Sequence, residues 1–201
     1  MTAIFDLDGT LVDSSQVLGN AINHVRNYLD LPPLPISEII EQINNPECHY
    51  ANYFYNIEQV EPIHEDIFKE YYSANHNKEL ELFHGIPEML KELKQNGIKL
   101  AIATNAYREP TIEVLENLNL IKYFDTIATF DDVREGKPSP KMLYKVIDDL
   151  QSKKPIFIGD SQRDLLASQN ANIEFILVDF VNKKSSIEEL SNSIKEYLIE
   201  T

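Results

Sequence analysis

The sequence is poor in thiols, in cations and in long apolar runs. Cys48 is its only cysteine, so no intrachain disulfide can form, which fits a reducing compartment. That lone thiol reads as core filler rather than nucleophile. Lysine and arginine number 18 against 33 acidic residues, for a net charge of -15. Nucleic acids and anionic membranes both need a basic face to neutralise phosphates, so neither is an expected partner. Any anionic ligand must be drawn in by local cations. No apolar segment approaches the roughly 18 residues that a membrane span requires. The chain opens on a strand-like run, without the basic stretch and apolar core of a signal peptide. A cytoplasmic protein is expected, with the monomer as its simplest state. No internal repeat or low-complexity tract is present.

What is there reads as an ordinary globular chain, 43% hydrophobic and 25% charged over 201 residues, long enough for one full core or a core plus a small insert. Short apolar runs at Ala3 to Phe5, Ile98 to Ala103, Ile127 to Phe130, Ile156 to Ile158 and Phe175 to Val178 have the continuous character of buried parallel strands. Helix-period segments alternate with them. Ile86 to Asn96 places Ile86, Met89, Leu90 and Leu93 on one face before Gly97, and Ser186 to Leu198 opens with Ser186 and Glu189 in capping-box spacing. This alternation predicts an α/β fold with an open, mostly parallel sheet.

Residues Ser15 to Leu80 break the alternation with helical periodicity and no strand, so residues 15–80 are expected to be an inserted helical cap. Residues 1–14 and 81–201 form the core. The first cap helix carries Leu18, Ala21, Ile22, Val25 and Leu29 on one stripe and stops before Pro32, Pro33 and Pro35.

The chemistry-bearing residues stand at predicted strand ends, where open α/β sheets bind their ligands. "IFDLD" ends in Asp6 and Asp8, "LAIATN" in Thr104 and Asn105, and "IFIGD" in Asp160. Asp6 and Asp8 would project to one side of an extended segment before Gly9 turns the chain. Carboxylates this close repel, so a cation between them or a raised pKa is required. Each segment has a plainer reading. Asp8-Gly9 is a turn dipeptide. Ser161 with Asp164 makes a capping box that needs no metal. Lys137 in "GKPSP" could be a solvated surface residue, and Thr104 could cap the helix that follows.

Taken jointly, the four segments resemble the haloacid dehalogenase-like hydrolase superfamily, whose signature is D-x-D-G-T, a strand-end Thr or Ser, a Lys, and G-D-x-x-x-D. The resemblance runs from Ile4 to about Val178 and implies a Rossmann-like core with a helical cap. It implies that Asp6 is a nucleophile forming an aspartyl-phosphate, and Asp8 the general acid and base. It further implies that Thr104, Lys137 and the Asn105 backbone N–H hold the phosphoryl group. Mg²⁺ would be bound by Asp6, the Asp8 carbonyl and Asp160, with Asp164 in the first or second shell. Two positions depart from the pattern: Asn172 stands where Gly is usual, and Ser139 where Asp is common. Asn tolerates the left-handed conformation that Gly would supply.

The resemblance implies hydrolysis of a small phosphomonoester, such as a short phosphorylated acid, a sugar phosphate or a mononucleotide. "DGTLVDS" looks most like the phosphoglycolate phosphatase relatives. The alternatives are β-phosphoglucomutase-like phosphoryl transfer and a binding protein without turnover. Dehalogenase and phosphonate chemistry fit less well, because those relatives dispense with or replace the Asp8 equivalent. In residues 15–80 the only cations besides histidine are Arg26, Lys69 and Lys78, against ten acidic residues, which poorly serves a polyphosphorylated substrate. "HYANYFY", residues 49–55, could be an aromatic lid, but packing residues of a small helical domain are the better reading. The histidines form no metal-ligand pattern.

Overall fold

The computed structural model describes residues 1–200. The strands are β1 (Thr2–Phe5), the two-residue β2 (Val12–Asp13) and β3 (Glu81–Leu82), β4 (Lys99–Ala103), β5 (Thr126–Ala128), β6 (Pro155–Gly159) and β7 (Glu174–Leu177). Between β2 and β3 lie α1 (Ser15–Tyr28), α2 (Ile36–Asn44), α3 (Tyr50–Tyr55) and α4 (Pro62–Glu79). After β3 come α5 (Ile86–Gln95), α6 (Arg108–Asn117), α7 (Phe130–Val133), α8 (Lys141–Leu150), α9 (Gln162–Ala171) and α10 (Ile187–Lys195). The chain divides into two compact units, one of Met1–Asp13 with Leu82–Thr201 and one of Ser14–Glu81.

The first unit is a Rossmann-like α/β core. Five parallel strands stand in the order β5-β4-β1-β6-β7. β1 is buried along its whole length and β4 and β6 nearly so, because strands covered on both faces must be apolar at every position. Met142, Leu143 and Val146 of α8 and Ala167 of α9 pack on Ile4, Ala101, Ala103 and Phe157. Full burial of each large side chain contributes about 1.5–3 kcal/mol. The register puts Phe5 beside Ile102 on β4 and Ile158 on β6. Asp6, Thr104 and Asp160 therefore leave neighbouring strands at one sheet edge.

Most strand ends fall within one residue of the sequence reading, and two element ends differ by more. β5 ends at Ala128 rather than Phe130, because Thr129 caps α7: its N–H and hydroxyl both donate to Asp132 Oδ2, at 2.8 and 2.9 Å. Helix α10 ends at Lys195, and residues 196–200 continue as a π-turn. The caps themselves follow the sequence. Ser186 Oγ accepts from the Glu189 N–H, and Gly97 takes φ +75° just beyond α5.

The second unit is helical, with α1 packed chiefly on α4 and also on α2. Its core holds Ile22, Val25, Ile39, Phe54 and Tyr55. Of the expected α1 stripe, Ala21, Ile22 and Val25 are buried and Leu18 and Leu29 half-buried, and packing against its neighbours also buries Val17 and Arg26. Arg26 is 5% exposed. Its Nε donates to the Pro32 carbonyl at 2.8 Å, and its guanidinium also donates to the Phe54 carbonyl. It is thus a structural tie inside the unit. In "HYANYFY" Phe54 and Tyr55 are core, whereas Tyr50 and Tyr53 are exposed, with hydroxyls donating to the Ile43 carbonyl and Glu38. His64 and His76 are buried, and His24 and His49 are exposed. Cys48 is half-buried.

Candidate active site

β1 stops at Phe5, and Asp6 is the first residue past the strand, its N–H donating to the Ile158 carbonyl at 2.9 Å. The chain then bends rather than continuing extended. Thr10, Leu11 and Val12 all donate N–H groups to the Leu7 carbonyl, and Gly9 turns the chain at φ +78°. Asp6 and Asp8 are therefore not two side chains on one straight strand. The carboxylates that meet are Asp6, Asp160 and Asp164, with one oxygen from each within 4.8 Å of the others. Asp8 is half-buried, and its charge reaches Asp160.

Lys137 answers this crowding. Only 3% exposed, its Nζ lies 2.7 Å from Asp6 Oδ1 and 2.6 Å from Asp164 Oδ1, and 5.4 Å from the centre of the Phe157 ring. It is no solvated loop lysine. The capping-box reading of "GDSQRD" holds at the same time. Asp164 Oδ2 accepts from the Ser161 N–H at 3.1 Å and from its hydroxyl at 2.5 Å, while Ser161 Oγ accepts from the Asp164 N–H. One Asp164 oxygen closes the helix cap and the other faces Lys137. Two glycines make room for these acids. A Cβ on Gly9 would lie 2.2 Å from Asp160 Oδ2, and one on Gly159 would lie 2.6 Å from the Asp164 Cβ.

Thr104 is buried just past β4, where its N–H donates to the Ala128 carbonyl at 3.1 Å and its Oγ1 accepts from the Ala106 N–H at 3.1 Å. The hydroxyl thus shapes the turn after the strand. It does not cap α6, whose N-cap residue is Tyr107. The Asn105 side chain accepts from the Lys137 N–H at 2.7 Å and donates to the Lys137 carbonyl at 3.2 Å. The sequence pattern gives a role only to the Asn105 backbone. The expected departure at Asn172 is accommodated: it ends α9 at φ 53°, ψ 48°.

Electrostatics follow from burial. Asp6 is pushed well above the carboxylate range by desolvation, which the Lys137 charge only partly offsets and the Asp164 and Asp160 charges reinforce. Asp160 is raised to about 7, by burial first and the Asp164 charge second, against the pull of Lys137. Burial alone would lower the Lys137 ammonium, but Asp164 and Asp6 more than offset it and hold it above the usual lysine value. One ammonium therefore faces three clustered acids, an excess of negative charge that a divalent cation would neutralise. The donors are all carboxylate oxygens, the hard ligands that Mg²⁺ takes, so the residues present fit that ion.

The match to the haloacid dehalogenase-like hydrolase family model covers residues 3–178. A pyrophosphatase PpaX of Halalkalibacterium halodurans is 31% identical over 183 residues, 89% of this chain and 83% of that protein. A phosphoglycolate phosphatase of Agrobacterium fabrum is 32% identical over 188 residues, 89% of this chain and 80% of its own length. Among solved structures, a predicted phosphatase from Clostridium acetobutylicum aligns with a TM-score of 0.83 at 25% identity, covering 97% of this chain and 98% of that one. No helix among the described residues is long and apolar enough to cross a membrane. Strand-end Asp6 and Asp8, Thr104, a buried Lys137 and the Asp160–Asp164 pair thus stand on a chain that belongs to the haloacid dehalogenase-like hydrolase family.

Proposed function

We propose that this chain, a phosphatase of the haloacid dehalogenase-like family, hydrolyses a small phosphomonoester with Mg²⁺ through an aspartyl-phosphate on Asp6. The observation that carries the reading is the buried Lys137 ammonium, 2.7 Å from Asp6 Oδ1 at the carboxyl edge of a parallel sheet. A buried cation beside the nucleophile is what a phosphoryl group needs, because catalysis of its transfer is mostly positioning and charge stabilisation.

Asp6 attacks phosphorus: its carboxylate oxygen forms the new P–O bond as the bond to the leaving alcohol breaks. Asp8 donates its proton to that departing oxygen, then takes a proton from the water that attacks the phosphoenzyme and releases phosphate and free Asp6. The Thr104 hydroxyl, the Asn105 backbone N–H and Lys137 hold the phosphoryl oxygens. Asp6, Asp160 and the Asp8 carbonyl would hold Mg²⁺, which when bound supplies positive charge against the phosphoryl oxygens and the clustered carboxylates. Asp164 supports the set from beside it, because its two oxygens already serve Ser161 and Lys137. Residues 15–80 are proposed to act as the cap that selects the substrate. With Arg26 tied to backbone carbonyls, a polyphosphate chain is a poor fit to that unit.

The test is release of p-nitrophenol from p-nitrophenyl phosphate with Mg²⁺ and with EDTA, for the wild type and Asp6→Asn. Metal-dependent release abolished by the substitution supports the reading, and unchanged turnover in the variant removes Asp6 as nucleophile. A panel of phosphorylated metabolites that includes 2-phosphoglycolate and pyrophosphate then ranks substrates. β-Glucose 1-phosphate separates hydrolysis, which yields free phosphate, from transfer, which yields glucose 6-phosphate.

A further inference from the structure

We propose that the Asn105 side chain is a positioning residue for the reaction, acting through the backbone of Lys137, and that Gly136 lacks a side chain because the Asn105 amide fills its space. The proposal rests on the phosphatase reading for its consequence, though not for its geometry.

Lys137 does its work at the end of a long, flexible side chain, so placing Nζ between two acids requires a fixed base. The strand–helix scaffold does not provide one, since Lys137 sits between α7 and α8, outside both. Asn105 spans a separation of 32 residues to bind both polar groups of that one residue, its Oδ1 2.7 Å from the Lys137 N and its Nδ2 3.2 Å from the Lys137 O. A primary amide is matched to this double task, because it offers an acceptor and a donor side by side in one plane. Asn105 follows Thr104 at the end of β4, so the clamp ties the lysine loop to the rigid sheet next to Asp6.

Gly136 makes the clamp possible. A Cβ there would meet only Asn105 among its nearest atoms, at 2.8 Å from Oδ1, 3.0 Å from Cγ and 3.2 Å from Nδ2. Gly136 is not among the positive-φ glycines, so the restriction is space rather than backbone conformation. The motif dipeptide Gly136-Lys137 is thereby explained: the glycine admits the amide, and the amide holds the lysine.

The experiment is a double-mutant cycle with two readouts. Asn105→Ala is expected to lower kcat/KM for p-nitrophenyl phosphate by about 10- to 100-fold, the scale of a small misplacement of a catalytic group, and Gly136→Ala to lower it similarly. In the Asn105→Ala background Gly136→Ala should cost nothing further, because the atoms it would strike are gone. Amide hydrogen exchange at Lys137 should quicken in Asn105→Ala and stay slow in Asn105→Asp, which keeps the acceptor. Additive losses in the cycle, or exchange at Lys137 that is the same in wild type and Asn105→Ala, would overturn the proposal. Exchange needs no turnover, so a wild type without phosphatase activity would defeat the functional reading and leave the clamp still tested.

Discussion

Removing one carboxylate from the site should stabilise the metal-free protein at high pH. In the folded chain Asp160 titrates at about 7 instead of 3.8, so between those values the folded state binds more protons than the unfolded one. Stability then falls as pH rises through the window, and the full penalty is present above 7. At about 1.4 kcal/mol per pH unit, the Asp160 contribution amounts to something on the order of 4 kcal/mol. An amide at this position, uncharged at every pH, escapes it. In EDTA, Asp160→Asn should therefore unfold in urea at a higher midpoint than wild type at pH 8, whereas at pH 4 the two should nearly coincide. Adding Mg²⁺ at pH 8 should narrow that gap, because ligand binding stabilises only the protein that keeps the ligand set, by about 2.7 kcal/mol at one hundred times Kd and about 4.1 kcal/mol, enough to close it, at one thousand times. Comparing the two proteins at each pH cancels the groups remote from the site, while Asp6, raised in part by the Asp160 charge, is relieved in the variant and adds to the gain in the same direction. A variant less stable than wild type at pH 8 in EDTA, or one that follows the wild-type pH profile, would refute the electrostatic account of the site.

Lys137→Met should destabilise the protein at pH 7 by about 3–5 kcal/mol, since breaking a buried pair leaves uncompensated negative charge in the cluster; urea unfolding should show the deficit shrinking as pH falls and Asp6, whose carboxyl burial holds well above the usual range, takes up its proton. Gly9→Ala combines a left-handed φ with a Cβ placed 2.2 Å from Asp160 Oδ2. Calorimetry should show about 10- to 100-fold weaker Mg²⁺ binding, as for lost support of metal ligands. Arg26→Ala removes the donors to the Pro32 and Phe54 carbonyls and should cost the helical unit about 2–3 kcal/mol, the scale of hydrogen bonds from a charged group. Six of the ten tyrosines, Tyr28, Tyr50, Tyr53, Tyr55, Tyr71 and Tyr72, lie in that unit, so tyrosine fluorescence follows its unfolding.

Much of the architecture is local and hence legible. Strands buried on both faces must be apolar throughout, so "TAIF", "LAIA" and "IFIG" announce themselves without any partner in view. Caps are equally local: Ser161 with Asp164, and Ser186 with Glu189, need only three-residue spacing to close. The apolar pattern carries β5 two residues too far because Thr129 and Phe130 suit a strand, and only the Thr129–Asp132 box ends it. In sequence Arg26 resembles a cation open to a ligand, because nothing near it reveals the Phe54 carbonyl 28 residues away.

The alternating α/β core and the polar residues that close its strands follow from local pattern, because burial periodicity and capping act over a few residues. Tertiary structure alone decided which of those residues meet. It grouped Asp164 rather than Asp8 with Asp6 and Asp160, since the bend at Leu7 turns the chain and the sheet register aligns distant strand ends. It also set the Lys137 ammonium between two acids and the Asn105 amide on the Lys137 backbone, contacts across sequence separations that no local pattern encodes.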